Sequence, residues 1–164
     1  MQTRDNPYMA SSSKLDAEAI FSIHSCCFGR DLNFESVRKM LSSKNNFAFL
    51  GSCDETGSPG AFICCRVAGN ESQLLCLGVM PRLRRQGAAH ALMVAAIEEA
   101  CARGTQAMLL EVAESNYPAL RLYRRLGFGT VGKRPRYYRL LSGKKVDARI
   151  MRLPLRSLMR VARK

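Results

Sequence analysis

Residues 73–113, QLLCLGVMPRLRRQGAAHALMVAAIEEACARGTQAMLLEVA, contain two apolar runs on either side of a segment with helical spacing. The first run, residues 73–80, is almost entirely apolar and predicts a strand that is buried on both faces. Residues 88–103 place their apolar side chains on one stripe and two glutamates off it, which predicts an amphipathic helix. The second run, residues 107–113, predicts another buried strand. The segment therefore predicts a right-handed strand–helix–strand unit.

Spacing and turn residues predict the elements on both sides of this unit. Asn116 is a candidate N-cap and Gly127 a candidate stop signal for one of the helices. The remaining helices and strands are predicted at residues 14–28, 34–42 and 117–126, and at residues 47–53, 61–67, 137–141 and 146–153. This order of elements predicts an α/β or α+β fold with a mixed sheet.

Length and composition indicate one globular domain. The chain has 164 residues, of which 47% are hydrophobic and 24% charged, enough to form a core. No apolar run approaches the roughly 20 residues of a transmembrane helix, and the first residues lack the apolar stretch of a secretory signal, so we expect a cytoplasmic protein. The odd count of seven cysteines argues against a disulfide framework, and the presence of only two histidines argues against a zinc site.

The positive charge is concentrated near the C-terminus. Residues 1–118 contain 11 basic and 12 acidic residues, net −1, whereas residues 119–164 contain 15 basic residues and one acidic residue, net +14. Such a block indicates a polyanionic partner, such as cofactor phosphates, RNA or an acidic protein face, or else a solvated tail. We expect a flexible N-terminus over residues 1–13, a domain over residues 14–154, and a basic amphipathic tail over residues 155–164. The tail could dock on the domain, bind RNA or contact a membrane surface.

A basic, small-residue loop precedes the predicted helix of residues 88–103. It has the sequence RRQGAAH over residues 84–90. The N-terminus of a helix has free N–H groups and a partial positive charge, and small residues let a phosphate approach the backbone. Arg82, Arg84 and Arg85 add formal charge. The loop therefore predicts a pyrophosphate site, and a basic turn that only connects two elements is the alternative.

Two polar residues on otherwise apolar elements are candidates for proton transfer. Glu111 interrupts a buried strand, where a carboxylate is costly unless it is paired or functional. It is a candidate general base, or it faces solvent or pairs with an arginine. Tyr123 shares the apolar face of the predicted helix over residues 117–126. Its hydroxyl is a candidate acid for a leaving thiolate, or it belongs to a core tyrosine with a satisfied hydroxyl.

Several motifs in fixed order resemble one enzyme family. Arg84-x-x-Gly87-x-Ala89 resembles the acyl-CoA-binding signature of the GCN5-related N-acetyltransferases, the GNAT superfamily. The stretch LLEVAESNYPALRLYRRLGF, residues 109–128, is similar to the ribosomal-protein alanine N-acetyltransferases, the RimI type. Further matches to that type are Lys133-Arg134-x-x-Tyr137-Tyr138 and Asp147-Ala148-x-Ile150-Met151. The resemblance runs from about residue 74 to residue 153 and implies the GNAT fold, a central mixed sheet flanked by helices.

The resemblance also implies a cofactor and a set of roles. Acetyl-CoA is the implied co-substrate, with no metal. Glu111 is implied to be the general base that draws a proton from the substrate ammonium through water, and Tyr123 the general acid for the departing CoA thiolate. The amine attacks the thioester directly in a ternary complex. The residues implied to bind the cofactor are Leu77, Gly78, Val79, Arg84, Arg85, Gln86, Gly87, Ala88, Ala89, His90 and Asn116.

The implied acceptor is the N-terminal α-amino group of a protein, in particular a ribosomal protein resembling S18. Lysine side chains and small amines need the same base and acid, so they stay open as acceptors. A non-catalytic CoA-binding module with an RNA-binding basic tail is the remaining alternative, and residues 119–164 are the segment through which RNA or a ribosome would be contacted. The sequence departs from the family pattern at Ala89, His90 and Ala113.

Overall fold

The computed structural model describes residues 17–29, 32–52, 58–139 and 142–155. The predicted N-terminus of residues 1–13 and all of the predicted tail except Leu155 lie outside these ranges. The helices are α1 (Ala17–Phe28), α2 (Phe34–Ser42), α3 (Ala88–Ala102) and α4 (Tyr117–Arg125). The strands are β1 (Asn46–Ser52), β2 (Pro59–Ala68), β3 (Glu71–Val79), β4 (Ala107–Ala113), β5 (Gly129–Arg139) and β6 (Lys145–Pro154).

The strands form a mixed sheet in the order β1-β2-β3-β4-β6-β5. β1 pairs with β2, β4 with β6 and β5 with β6 in antiparallel fashion, whereas β3 pairs with β4 in parallel. The parallel pair is the one joined through α3, as expected for a strand–helix–strand unit. The predicted class, a mixed α/β fold, is confirmed.

The chain forms two compact units. The first comprises the described residues of Met1–Val67 together with Leu75–Glu99. Its core is built where the apolar sides of α1 and α2 meet β1 and β2. Asn33 sets the start of α2, because its side-chain oxygen accepts a hydrogen bond from the backbone N–H of Ser36 at 2.8 Å. The buried members of this core are Ile20, Ile23, Val37, Ala48, Leu50, Phe62 and Cys64.

The second unit comprises Ala68–Leu74 and the described residues of Ala100–Lys164. One face of β4 is buried through Met108, Leu110 and Val112, and it continues across β6 through Met151 and Leu153. The other face of β4, which carries Leu109 and Glu111, stays partly exposed. This alternation follows from the two-residue period of a strand, and it leaves one side of the second unit's sheet open for a site.

Two predictions about strands were wrong. β3 is not buried on both faces: its residues alternate between buried and partly exposed from Glu71 to Leu74. β5 begins at Gly129, eight residues before the predicted strand of residues 137–141. The early part of β5 escapes detection because it is almost wholly exposed and carries glycine, proline and basic residues instead of an apolar alternation. No helix in the described ranges is long and apolar enough to cross a membrane.

Candidate active site

In the first unit, the predicted phosphate loop connects the end of β3 to the start of α3. After the 3₁₀ turn of Pro81–Leu83, the chain passes through Arg85 with φ of 64° and Gly87 with φ of 92° before α3 begins at Ala88. A positive φ is unusual for a residue with a side chain, and such backbone strain occurs most often at functional sites. Loops in which residues of positive and negative φ alternate direct successive N–H groups toward a common point, where they can bind an anion.

The side chains of this loop divide into two groups. The Nε of Arg84 donates a hydrogen bond to the carbonyl oxygen of Val79 at 3.1 Å, so Arg84 is turned back onto the end of β3. Arg85 and His90 are exposed. Gln86 is exposed too, and its amide donates to the carbonyl of Arg82 at 3.3 Å. Arg85 and His90 are therefore the side chains of the loop with the clearest access to a phosphate.

The end of β3 is held closely against β2 at Gly78. A Cβ atom on Gly78 would lie 2.5 Å from Cε1 of Phe62, so the backbone approach requires glycine. The backbone N–H of Met80 donates to the carbonyl of Gly60 at 2.9 Å and closes this end of the strand. Leu77 and Val79 on either side are partly exposed. Their accessibility is compatible with backbone pairing to an extended ligand.

In the second unit, Glu111 lies on the partly exposed face of β4. Its side chain is 16% exposed, and its Oε1 lies 2.9 Å from Nε of Arg134 on β5. The register across β6 places Gly132 in line with Glu111, through Ile150, so that Arg134 two residues further on shares the same face. Glu111 is thus largely buried and paired with an arginine, and this pairing is one of the alternatives that the sequence left open.

Glu111 and Arg134 line a cavity of about 290 Å³ in the second unit. Its lining includes Glu71, Gln73, Leu109, Glu111, Arg134 and Ile150. The carboxylate of Glu71 contributes a second negative charge, and Arg152 lies 3.4 Å from it. The cavity combines apolar walls with two carboxylates, each of which is paired with an arginine.

A second carboxylate cluster lies where β4 ends. Glu114 contacts Arg149 at 2.5 Å and Lys133 at 3.3 Å. Hydrogen bonds from Arg149 and then Lys133 lower the pKa of the Glu114 carboxyl. Asp147 accepts a hydrogen bond from the backbone N–H of Arg136 at 2.9 Å, which fixes the irregular segment of β5. Glu114 therefore ties the basic hairpin of β5 and β6 to the end of β4, and Asp147 holds β5 and β6 together within the hairpin.

Tyr123 and Asn116 lie on and before α4. Tyr123 is 6% exposed, and its ring lies 5.9 Å from that of Phe128. Asn116 is exposed, and its side-chain oxygen accepts from the N–H of Ala119 at 3.3 Å, which confirms the predicted N-cap. Because that oxygen is used by the cap, any ligand contact of the Asn116 side chain would come from its amide nitrogen.

Sequence reasoning did not assign roles to Arg134 or Glu71. Arg134 was part of a quoted motif, but nothing in the sequence ties one arginine among the many in residues 119–164 to Glu111. Glu71 is the first residue of β3, and no hydrophobic pattern in the sequence distinguishes it from other surface glutamates. Among the residues that the structure describes, no group of three histidine, cysteine or acidic side chains is arranged to hold a metal ion.

The fold and these motifs define an acyltransferase class, and the comparison with family models identifies it. The chain belongs to the acetyltransferase (GNAT) family, whose model matches residues 17–128. The family resemblance drawn from the sequence is confirmed.

Among curated proteins, the chain is 38% identical over 101 residues to the ribosomal protein bS18-alanine N-acetyltransferase of Escherichia coli K12. This alignment covers 62% of the chain and 68% of that relative. The crystal structure of the ribosomal-protein-S18-alanine N-acetyltransferase from Escherichia coli matches with a TM-score of 0.80 and 29% identity, over 90% of this chain and 92% of that one. Arabidopsis thaliana NAA60 in complex with acetyl-CoA matches with a TM-score of 0.73 at 19% identity, over 89% and 96% of the two chains, and shows the shared fold alone.

Proposed function

We propose that this N-acetyltransferase transfers the acetyl group of acetyl-CoA to the N-terminal α-amino group of a protein, and that a ribosomal protein beginning with alanine is the acceptor. The observation that carries the proposal is the Glu111 carboxylate, largely buried on the wall of a cavity of about 290 Å³. The similarity to bS18-alanine N-acetyltransferases supports this choice of acceptor.

The first unit provides the residues proposed to hold acetyl-CoA. The positive-φ loop at Arg85 and Gly87 offers backbone N–H groups to the pyrophosphate, together with Gln86, Ala88, Ala89 and the exposed His90. Arg84 orders the end of β3 through its hydrogen bond to the carbonyl of Val79, and it adds positive charge to the loop. The close packing at Gly78 fits an extended arm lying along Leu77–Val79. When bound, acetyl-CoA supplies the activated acetyl thioester.

The second unit provides the groups proposed to move protons. Glu111 accepts a proton from the acceptor ammonium, directly or through one water, which leaves a neutral amine able to attack the acetyl carbonyl carbon. Tyr123 donates its hydroxyl proton to the sulfur as the carbon–sulfur bond breaks, and the extra proton of the attacking nitrogen passes through water to restore the tyrosine hydroxyl. Asn116 is proposed to orient the cofactor through its amide nitrogen. No protein nucleophile is needed.

The basic surface of the second unit is proposed to contact RNA or the ribosome that carries the acceptor. Arg121, Arg124 and Arg125 are exposed on α4. Arg139 on β5 is exposed as well, as is Lys145 on β6. Glu111 and Glu114 of this unit pair with other basic residues, Arg134 and Arg149. Exposed basic side chains of this kind bind phosphates in a salt-dependent manner.

The test combines two variants with a peptide that has a free N-terminal alanine. Glu111→Gln removes the base at constant size, and we expect the transfer rate to fall about 10²–10⁴-fold. Tyr123→Phe removes the acid and is expected to slow transfer in the same range. Initial rates are measured by release of the CoA thiol, and acetyl-CoA binding is measured by calorimetry to show that the cofactor site is intact.

Glu114→Gln is the matched control, because Glu114 is a second carboxylate at the end of the same strand with other basic partners. Its rate should stay close to that of the parent. A parent rate retained by Glu111→Gln would remove Glu111 as the base. Transfer only to lysine side chains of N-terminally blocked peptides would replace the proposed acceptor.

A further inference from the structure

The carboxylate of the candidate base, Glu111, already has a cationic partner in the cavity. Nε of Arg134 lies 2.9 Å from Oε1 of Glu111, which is hydrogen-bond distance for a charge-assisted pair. An acceptor ammonium delivers its proton to this same carboxylate, so the guanidinium and the ammonium compete for the charge of Glu111. This conflict is present whether the ammonium reaches Glu111 directly or through a water molecule, because Arg134 also lines the cavity.

Arg134 is placed so that it can leave at small cost. Its side chain is 53% exposed, whereas that of Glu111 is only 16% exposed. Its guanidinium carbon also lies 5.4 Å from the centre of the Tyr137 ring, and that ring is 52% exposed. A guanidinium that moves away from Glu111 therefore keeps its hydration and an aromatic face to stack on. Glu111, by contrast, would be left with a poorly hydrated charge unless another cation replaced Arg134.

The neighbouring basic residues contact carboxylates other than Glu111. Glu71 on β3 is engaged by Arg152 on β6 at 3.4 Å. Lys133, the neighbour of Arg134 on β5, points to Glu114 at 3.3 Å. Tyr138 donates a hydrogen bond to the backbone carbonyl of Glu111 at 3.4 Å. Arg152 and Lys133 thus contact carboxylates other than Glu111, whereas the carboxylate that Arg134 contacts is the proposed base.

We propose that Arg134 is a specificity-determining residue: it occupies Glu111 in the resting enzyme and gives way only to a cationic acceptor. The proposal rests on the role proposed above for Glu111. A protonated amine can exchange for the guanidinium and keep the buried carboxylate paired, whereas an uncharged N-terminus, such as an acetylated or formylated one, cannot. Arg134 acts through Glu111 and takes no part in the transfer of the acetyl group.

This competition affects acceptor binding more than turnover. The turnover number starts from the bound complex, in which Arg134 has already been displaced, so removal of Arg134 should act on KM for the peptide and leave kcat within about twofold. A half-exposed ion pair is weak, so Arg134→Gln should lower KM for an N-terminal alanine peptide by roughly twofold to fivefold. Arg134→Lys keeps a cation beside Glu111 and should return KM toward the parent value.

Lys133→Gln is the matched control. It removes the same charge from the adjacent residue of β5, but its partner is Glu114. A KM decrease confined to Arg134→Gln supports direct competition at Glu111. Equal decreases in both variants would reduce the effect to overall charge and overturn the proposal, as would an unchanged or higher KM in Arg134→Gln.

A binding cycle provides a readout that needs no turnover. Affinity of a fluorescent N-terminal alanine peptide is measured by anisotropy in the presence of CoA. Arg134→Gln should tighten binding in the parent background and have no effect in the Glu111→Gln background, where there is no carboxylate to compete for. Equal effects in both backgrounds would overturn the proposal. A parent chain that neither binds nor acetylates any peptide would overturn the proposed function, and with it this inference.

Discussion

Gly78 links the packing of the first unit to the segment proposed to hold the cofactor. Replacing it with alanine places a methyl group 2.5 Å from Cε1 and 3.2 Å from Cδ1 of Phe62, and 3.3 Å from Cε2 of Phe28. Phe28 is 46% exposed and can turn away, but Phe62 is 1% exposed and is enclosed by the core. The strain of Gly78→Ala therefore falls on the contact between β2 and β3.

The size of the effect follows from two opposing contributions. Overpacking a filled core by one methyl group costs about 1–3 kcal/mol. Alanine also restricts the unfolded chain, which returns about 0.4–1 kcal/mol. We expect a net loss of about 1–2 kcal/mol in the free energy of unfolding, and a decrease of about 2–8 °C in Tm for a chain of this size.

Gly129→Ala is the matched control, because a Cβ at Gly129 has nothing within 4 Å. Its unfolding free energy should stay unchanged or rise by up to about 1 kcal/mol, because the restriction of the unfolded chain is not offset by a steric cost. Urea unfolding followed by circular dichroism measures both variants, and acetyl-CoA titration should show weaker binding for Gly78→Ala alone. Equal stability of the two variants would refute the argument that Gly78 is required by its contact with Phe62.

Three other predictions concern the helix cap, the acid limit of stability and the thiols. Asn116→Ala should lower the free energy of unfolding by about 0.5–2 kcal/mol, while Asn116→Asp keeps the cap; urea unfolding distinguishes them. The pKa of Glu114 is lowered in the folded chain by Arg149 and Lys133, so its stabilising effect is present above the pKa of the unfolded carboxyl and is lost as the pH falls through the folded value. Glu114→Gln should therefore lower Tm at neutral pH and lose this difference in acid, as a pH series of melts would record. Burial raises the pKa of Cys65 and Cys76 to about 12, so iodoacetamide at mildly alkaline pH should spare both and modify the exposed Cys26, as peptide mapping would detect.

The elements that the sequence predicts correctly are those whose first and last residues carry clear start and stop signals. α2 spans residues 34–42 and β4 spans residues 107–113, both as predicted, because a regular apolar spacing coincides with a defined start and stop. β5 was found only in its last part, because an exposed edge strand is stabilised by backbone pairing with β6 and needs no apolar alternation. Pro135 is accommodated there at an irregularity of the ladder.

The sequence alone identified Glu111 as a candidate site residue, but it did not identify the residue that pairs with it. Glu111 stands out because a carboxylate interrupts an apolar run, and the structure places it on the half-open face of β4. Its partner Arg134 depends on the register of β5 against β6, which shifts between Thr130 and Gly132 and again between Arg134 and Tyr138. Such shifts move side chains from one face to the other, so spacing in the sequence alone does not identify the pair.

The measurement that tests the proposed function most directly is mass spectrometry of a peptide mixture incubated with the chain and acetyl-CoA. The mixture contains peptides with free N-terminal alanine, serine, methionine or glycine, and N-terminally blocked peptides that contain lysine. We expect an acetyl mass shift on the free N-termini, strongest for alanine, and none on the blocked peptides. Acetylation of the blocked lysine peptides alone, or of no peptide while acetyl-CoA still binds, would contradict the proposed function.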